Sequence, residues 1–260
     1  MYPVLFRIGS IPVHTYYILW TVALCFCLEW TRRRAEGAYG MPPALVSKVL
    51  FWSFIGMFVG ARLGGYVDFW KVYAEDPMRI LKIWEGALSS TTGFLGAGLT
   101  AIFLLRREGW PVWPLAEAAS LPAAALLVIG RWGCFFNGCC YGVVTGHRWG
   151  VHFPFDGPGV SRHPTQLYYS FGAALIFLAL FLGERVWPPV ERRARSGALL
   201  WPLFMVLYGG MRFFVDFLRY GDRVMGLRTG QIVGFGVALA GLIWLVAVDV
   251  AFRRRGRLTD

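Results

Sequence analysis

Four stretches of the chain, 8–28, 86–105, 163–183 and 229–248, run for 20 or 21 residues without a formal charge. A helix needs about 20 apolar residues to cross the hydrocarbon core of a bilayer. Such stretches therefore confine the chain to folds in which helices satisfy their own backbone inside a membrane. Three shorter apolar runs, 49–61, 118–130 and 196–211, each break at an arginine: Arg62, Arg131 and Arg212. Extending the runs across these breaks gives seven spans, at 14–31, 46–69, 88–105, 113–130, 165–183, 197–217 and 229–251. The expected fold is an all-α integral membrane protein with seven transmembrane helices around a central lipid-binding cavity. It forms a single domain over 1–260, with a loop region on the outer side at about 131–164.

Composition agrees. The chain is 57% hydrophobic and 16% charged, against about 25% charged in soluble domains. An aromatic content of 17% excludes intrinsic disorder. The net charge of +11 accompanies a mean hydropathy of +0.52. That combination suits an anionic lipid surface, and no nucleic-acid partner is expected. The first apolar run lacks a basic leader and a small-residue cleavage site, and runs on into Arg32, Arg33 and Arg34, so it reads as a retained helix.

Basic residues in loops set orientation. One side collects 14 of them, including the RRR cluster at 32–34 and ERRAR at 191–195. The other side holds 10. The expected arrangement has the N-terminus outside and the C-terminus cytoplasmic, with the RRRGRLTD tail resting on the membrane surface.

An arginine at membrane depth is costly and usually functional. Guanidinium grips phosphate through paired hydrogen bonds. Arg62, Arg131 and Arg212 therefore suggest a pocket for a phospholipid headgroup. Snorkelling or an internal ion pair is the alternative. For Arg212 that partner is Asp216, four residues on, with Arg219 continuing the same helix face. GARLGG (60–65), TGFLGAG (92–98) and GRWG (130–133) place small residues along helices, for close packing or close approach to a ligand.

Cys25 and Cys27 read as inert residues of the first span. Cys134, Cys139 and Cys140 lie in the outer loop, where a disulfide and free thiols are both open readings. Their spacing, with His147 and His152 nearby, matches no standard zinc pattern, so no metal is expected. His163 opens HPTQLYY where the chain re-enters the membrane and reads as structural. Pro164 suits a first helical turn, and Thr165 and Gln166 cap it or face the pocket.

Seven blocks in order resemble the prolipoprotein diacylglyceryl transferase family: FRIGSIPVHTYYILW (6–20), GARLGGYV (60–67), DP with WEGALS (76–77 and 84–89), GRWGCFFNGCCYG (130–142), RHPTQLY (162–168), YGGMRFFVDFLR (208–219) and GLRTGQ (226–231). The resemblance implies a bacterial inner-membrane, multi-pass transferase. Such an enzyme moves a diacylglyceryl group from phosphatidylglycerol to the lipobox cysteine thiol of a prolipoprotein signal peptide, and glycerol 1-phosphate leaves. It implies no cofactor, a monomer among membrane lipids, and these two substrates as partners. It places catalytic positions at Arg131, Arg212, Asn137, Cys139 and Thr91. It places substrate-binding positions at Tyr16, Arg62, Gly142, His163, Gln166, Asp216 and Arg219.

Several positions depart from the family pattern. Thr91 stands where the family has a histidine, the usual candidate for general base. Cys134 replaces an asparagine, Cys139 a glutamate, Asp216 a glutamate and Tyr169 a glutamate. The phosphate-gripping half is kept while the proton-handling half is changed. Three alternatives accompany this reading: a divergent paralogue acting on another acceptor or lipid, with Cys139 as a nucleophile; a thiol-redox membrane protein built on Cys134, Cys139 and Cys140; and a transporter or lipid-binding protein without catalysis.

Overall fold

A computed structural model describes residues 3–68, 70–76, 78, 88–154, 156–186, 199–220, 223–224 and 226–256. ERRAR, most of WEGALS, Arg79, Lys82 and the last residues of the tail lie outside the described residues.

Seven long helices follow the seven apolar windows. They are α1 (Thr15–Gly37), α2 (Pro43–Asp68), α4 (Ser90–Arg107), α5 (Trp113–Asn137), α6 (Thr165–Val186), α7 (Leu200–Val215) and α8 (Thr229–Gly256), with a short α3 (Trp70–Glu75) after α2. Five of the long helices, α2 and α5 to α8, are long and apolar enough to cross a membrane. The chain is thus a multi-pass membrane protein. α1 is diluted by Thr, Tyr and Glu29, and α4 by its terminal Arg106 and Arg107.

Two details correct the sequence reading. The all-α architecture carries two short hairpins that the apolar windows did not show: β1 (Val4–Ile8) pairs antiparallel with β2 (Ile11–His14), and β3 (Arg223–Val224) with β4 (Leu227–Arg228). Gly9, in the left-handed region at φ +60°, makes the first reversal, which Gly permits without steric cost. The loop expected from about 131 also begins later. α5 runs through Arg131 to Asn137, because this arginine is received by an aromatic ring inside the protein and has no need to leave the helix.

The chain divides into two compact units, Met1–Thr31 with Ala116–Asp260, and Arg32–Leu115. In the first, α5, α6 and α7 share a core of Leu121, Ala124, Leu127, Ala173, Ile176, Leu180, Leu200 and Phe204. α7 and α8 approach until backbones touch: a side chain at Gly209 would strike the backbone of Gly234 and Ala238, and one at Gly234 would strike Phe213. In the second unit, α2 crosses α4 in the same way. A side chain at Gly60 would collide with Thr92, and one at Gly96 with Gly56. Lys48 and Glu108 form an ion pair at 2.8 Å there, and its exposure makes it a minor contributor.

Membrane helices are apolar outward and hold their polar groups inward, and this chain follows that rule. Phe51, Trp52, Phe94, Phe171, Phe214 and Phe235 are exposed, whereas Glu117, Ser120, Thr165, Gln166, Asp216 and Gln231 are buried. Glu117 has a structural task. Its Oε1 accepts hydrogen bonds from the backbone N–H groups of Leu200 (2.6 Å) and Trp201 (2.9 Å), at the start of α7. First-turn N–H groups have no partner within their own helix, and a carboxylate there also complements the helix dipole.

Glu117→Ala is expected to cost about 2–3 kcal/mol, because it strands buried donors. Glu117→Gln, which keeps an acceptor, is expected to cost less. Thermal unfolding of the purified variants in detergent measures both.

Candidate active site

The site is built within the first unit, where α5, α6, α7 and the segment after α7 meet. Arg131 projects from the last two turns of α5. Its Cζ lies 4.3 Å from the centroid of the Tyr169 ring on α6, a cation–π contact. The Tyr169 hydroxyl donates to Asp216 Oδ1. Asp216, almost wholly buried, opens the single 3₁₀ turn that follows α7. Arg219, three residues on, reaches the same carboxylate at 4.0 Å. Arg212, in the last turn of α7, donates from Nη1 to the Tyr208 hydroxyl at 3.1 Å. Asp216 is ion-paired with Arg219, and Arg212, four residues before it, stays within electrostatic range of the same carboxylate. α7 ends at Val215, but Asp216 keeps right-handed helical backbone and its N–H donates to the Arg212 carbonyl, so the two residues stay one turn apart.

The charge balance points to an anion. Three guanidiniums, Arg131, Arg212 and Arg219, lie within electrostatic range of Tyr169, and one carboxylate, Asp216, accompanies them. Nε of both Arg131 and Arg212 is buried and, among the described residues, makes no hydrogen bond. A buried donor left unmatched costs free energy, and an anion offering oxygens to both arginines would recover it.

The loop after α5 is tied to this cluster through backbone. Gly142 N donates to His163 O at 2.8 Å, and Val143 N donates to Leu218 O at 2.8 Å. Gly142 also bridges Arg219. A side chain at Gly142 would collide with the Leu218 carbonyl, His163 and Thr165, so this glycine is demanded by packing. Gln166 Nε2 donates to Cys139 O at 2.6 Å, and Thr165 Oγ1 donates to Cys140 O at 2.8 Å. Farther out, Arg162 holds Asp156 at 2.8 Å and lies over the rings of Tyr141 and Tyr220.

The other expected residues sort clearly. Asn137 ends α5 and its side chain reaches the Cys139 sulfur. Tyr16, in the first turn of α1, packs its ring against Trp20 and lies within electrostatic range of Cys134, Cys139 and Cys140. His163 is buried, and its Nδ1 lies 3.1 Å from the Tyr168 hydroxyl, which fits its structural reading. Arg62 and Thr91 belong to the second unit. Arg62 is buried with its Cζ 5.3 Å from the Tyr73 ring centroid, and Thr91 lies half-buried in the first turn of α4. All five cysteines are free thiols.

Tyr169 and Tyr208 are the residues that sequence reasoning did not place. Tyr169 sits at the centre of the arginine group. Its signal was its departure, noted above, from the pattern the resemblance implies. Tyr208 lies one helical turn before Arg212, at the spacing that lets side chains meet.

Two groups outside the spans have displaced acidities. Cys140 is held well below the ordinary thiol range by hydrogen bonds from the thiols of Cys134 and Cys139. Burial opposes this, and Arg219 and Arg131 add to it. His163 is pushed below the usual 6.5 by burial and by nearby His147. A histidine depressed in the folded state favours its neutral form. The stability it contributes is complete above about 6.5 and is lost as pH falls from there through the lower folded value. Unfolding of His163→Gln should therefore track the wild type above about pH 6.5 and lose less stability below it, measured as the melting temperature across a pH series.

Comparison with known proteins completes the picture. The model of the prolipoprotein diacylglyceryl transferase family matches residues 3–247. A phosphatidylglycerol–prolipoprotein diacylglyceryl transferase of Geobacter sulfurreducens is 36% identical over 95% of both chains. Proteins of the same name from Aeromonas hydrophila (32% identical, covering 97% of this chain and 91% of the relative) and Vibrio campbellii (33%, covering 94% and 89%) are similarly close.

Proposed function

Because the chain belongs to the prolipoprotein diacylglyceryl transferase family, we propose that it transfers the diacylglyceryl group of phosphatidylglycerol to a prolipoprotein cysteine. The acceptor sulfur bonds to the glycerol carbon that carries the phosphate ester. The C–O bond breaks, its electron pair stays with oxygen, and glycerol 1-phosphate departs. The phosphodiester carries one negative charge and the departing monoester carries two. Charge therefore develops on the phosphate as the bond breaks.

The observation that supports this reading is the unmatched positive charge around Tyr169. Arg131 and Arg212 offer buried Nε donors to the phosphate. Tyr169, pinned by Asp216, holds the Arg131 plane in place from below. Donors fixed in advance, where charge grows, lower the barrier without reorganisation. Asn137, Gly142, Gln166 and Arg219 hold the loop and the end of α7 around them. Thr91 cannot act as a base at neutral pH. The acceptor thiol, with an ordinary pKa of about 8.5, is already ionised to a few per cent, and its proton goes to water. Tyr16 and Arg62 are assigned to substrate binding, and the protein works as a monomer.

The setting is the bacterial cytoplasmic membrane. In this reading all seven long helices cross it, with the N-terminus outside and the headgroup cavity opening toward the outer leaflet. A phosphatase reporter fused after Asp260 should be inactive and a cytoplasmic reporter at the same place active. The opposite pattern would invert the topology.

Transfer is tested by complementing a bacterial strain depleted of its own transferase and by following lipidation of a lipobox peptide in vesicles containing phosphatidylglycerol. Wild type should restore growth and modify the peptide. Arg131→Ala and Arg212→Ala should each lose about 2–4 kcal/mol of transition-state stabilisation, read as kcat/KM, while retaining the fold. A wild-type protein that binds the lipid but never modifies the peptide would favour the non-catalytic reading.

A further inference from the structure

Three thiols that the transfer step does not use converge where α5 ends. The sulfurs of Cys134, Cys139 and Cys140 all lie within 4.8 Å of one another. We propose that they form a binding site for a soft d10 cation, with Cu(I) as the preferred ion. A metal bonded to three sulfurs at about 2.3 Å needs those sulfurs roughly 4 Å apart. The thiols therefore require only a slight inward movement to close on one.

The backbone is arranged to bring them together. Gly138 and Cys140 both occupy the left-handed region, at φ 70° and 64°. Cys140 is the non-glycine residue in that region among the described residues, a conformation ordinary side chains avoid. These two reversals fold the chain back over the end of α5. Cys139 N donates to Cys134 O at 3.1 Å. The carbonyls of Cys139 and Cys140 are held from α6 by Gln166 and Thr165. The three sulfurs are thus fixed by two elements and do not depend on one mobile loop.

Charge and ligand type select the ion. Loading releases the thiol protons to solvent, and no electron is transferred. Three thiolates around a monovalent cation leave a charge of −2. Arg219 and Arg131 lie near enough to act on the Cys140 sulfur and offset that charge. Thiolate donors favour soft ions such as Cu(I) and Zn(II). Structural zinc takes four protein ligands, and among the described residues this group has three. His147 is stacked on Trp149, and His152 Nδ1 is engaged with the Val160 carbonyl. A three-sulfur environment favours Cu(I). The spacing in sequence matched no zinc pattern because the site is assembled by the turn, with two adjacent cysteines brought back onto one in the preceding helix.

Binding is independent of the transferase reading, and its test uses no lipid and no peptide substrate. The full-length protein, fully reduced in detergent without oxygen, is titrated with Cu(I) against a chromophoric Cu(I) chelator. One Cu(I) per chain is expected, and X-ray absorption of the loaded wild type should report three sulfur neighbours. Cys134→Ser, Cys139→Ser and Cys140→Ser should each weaken binding on the order of tenfold or more, the lower bound for loss of a supporting group. A Cys25→Ser, Cys27→Ser double variant should bind as the wild type does. No uptake by the reduced wild type, fewer than three sulfur neighbours, or binding that follows Cys25 and Cys27 would overturn the proposal. The absorption measurement on wild type stands even where a serine variant fails to fold.

Discussion

A half-buried guanidinium needs something that replaces the water it has lost, and the arrangement around Tyr169 meets that need. Arg131 stacks on the Tyr169 ring, the Tyr169 hydroxyl is held by Asp216, and Asp216 is paired with Arg219. Each member depends on the next. Removing the hydroxyl would leave a buried carboxylate short of a donor, and removing the carboxylate would leave two arginines without a counter-charge. The cluster is satisfied only in part, because the arginines outnumber the carboxylate and two of their Nε donors are unmatched. That remainder is what makes the seam a place for an anion instead of a closed structural network.

The scaffold serves this seam by close approach. Gly230 lies so near the Asp216 carboxylate that a side chain there would occupy its oxygen. Gly209 and Gly234 let α7 and α8 touch along their backbones. Gly142 lets the loop after α5 lie against the end of α7. In lipid, where burying apolar surface between helices gains little, van der Waals packing at small residues carries much of the association. Here it also fixes the height at which Asp216 and Arg219 present their charges. Glu117, buried at the start of α7, holds the opposite end of the same helix.

The departures from the family pattern have a common physical sense. Where the family carries glutamates at two positions, this chain carries Tyr169 and Cys139, and Asp216 replaces a third. Tyr169 retains a polar oxygen, now used to hold the carboxylate on the neighbouring element. Cys139 gives up a charge and joins two other thiols. Arg131 and Arg212 are positioned by α5 and α7, apart from both changes.

The helices were legible in the sequence because a bilayer permits few alternatives. An uncharged run of about 20 residues has to satisfy its own backbone, and the observed helix starts lie within three residues of the expected spans, while α1, α5 and α8 run five to seven residues past their expected ends. Arg131 and Arg212 stood out for the same reason, as charges where charge is expensive. Periodicity also suggested Asp216 as a partner of Arg212, and the two do stay within electrostatic range, but Asp216 has further partners that spacing cannot show. The helix stops at Val215, and a 3₁₀ turn hands the carboxylate to Tyr169, 47 residues away in sequence, and to Arg219. Local spacing cannot register a partner supplied by another helix. It likewise could not show that Cys134 meets Cys139 and Cys140, because that meeting depends on two left-handed residues after α5. The sequence by itself determined which segments are helical, that they belong in a membrane, and which charges are too costly to be idle. Only the tertiary structure decided which groups those charges face, because pairing across helices depends on where each one ends and how closely its glycines let the next approach.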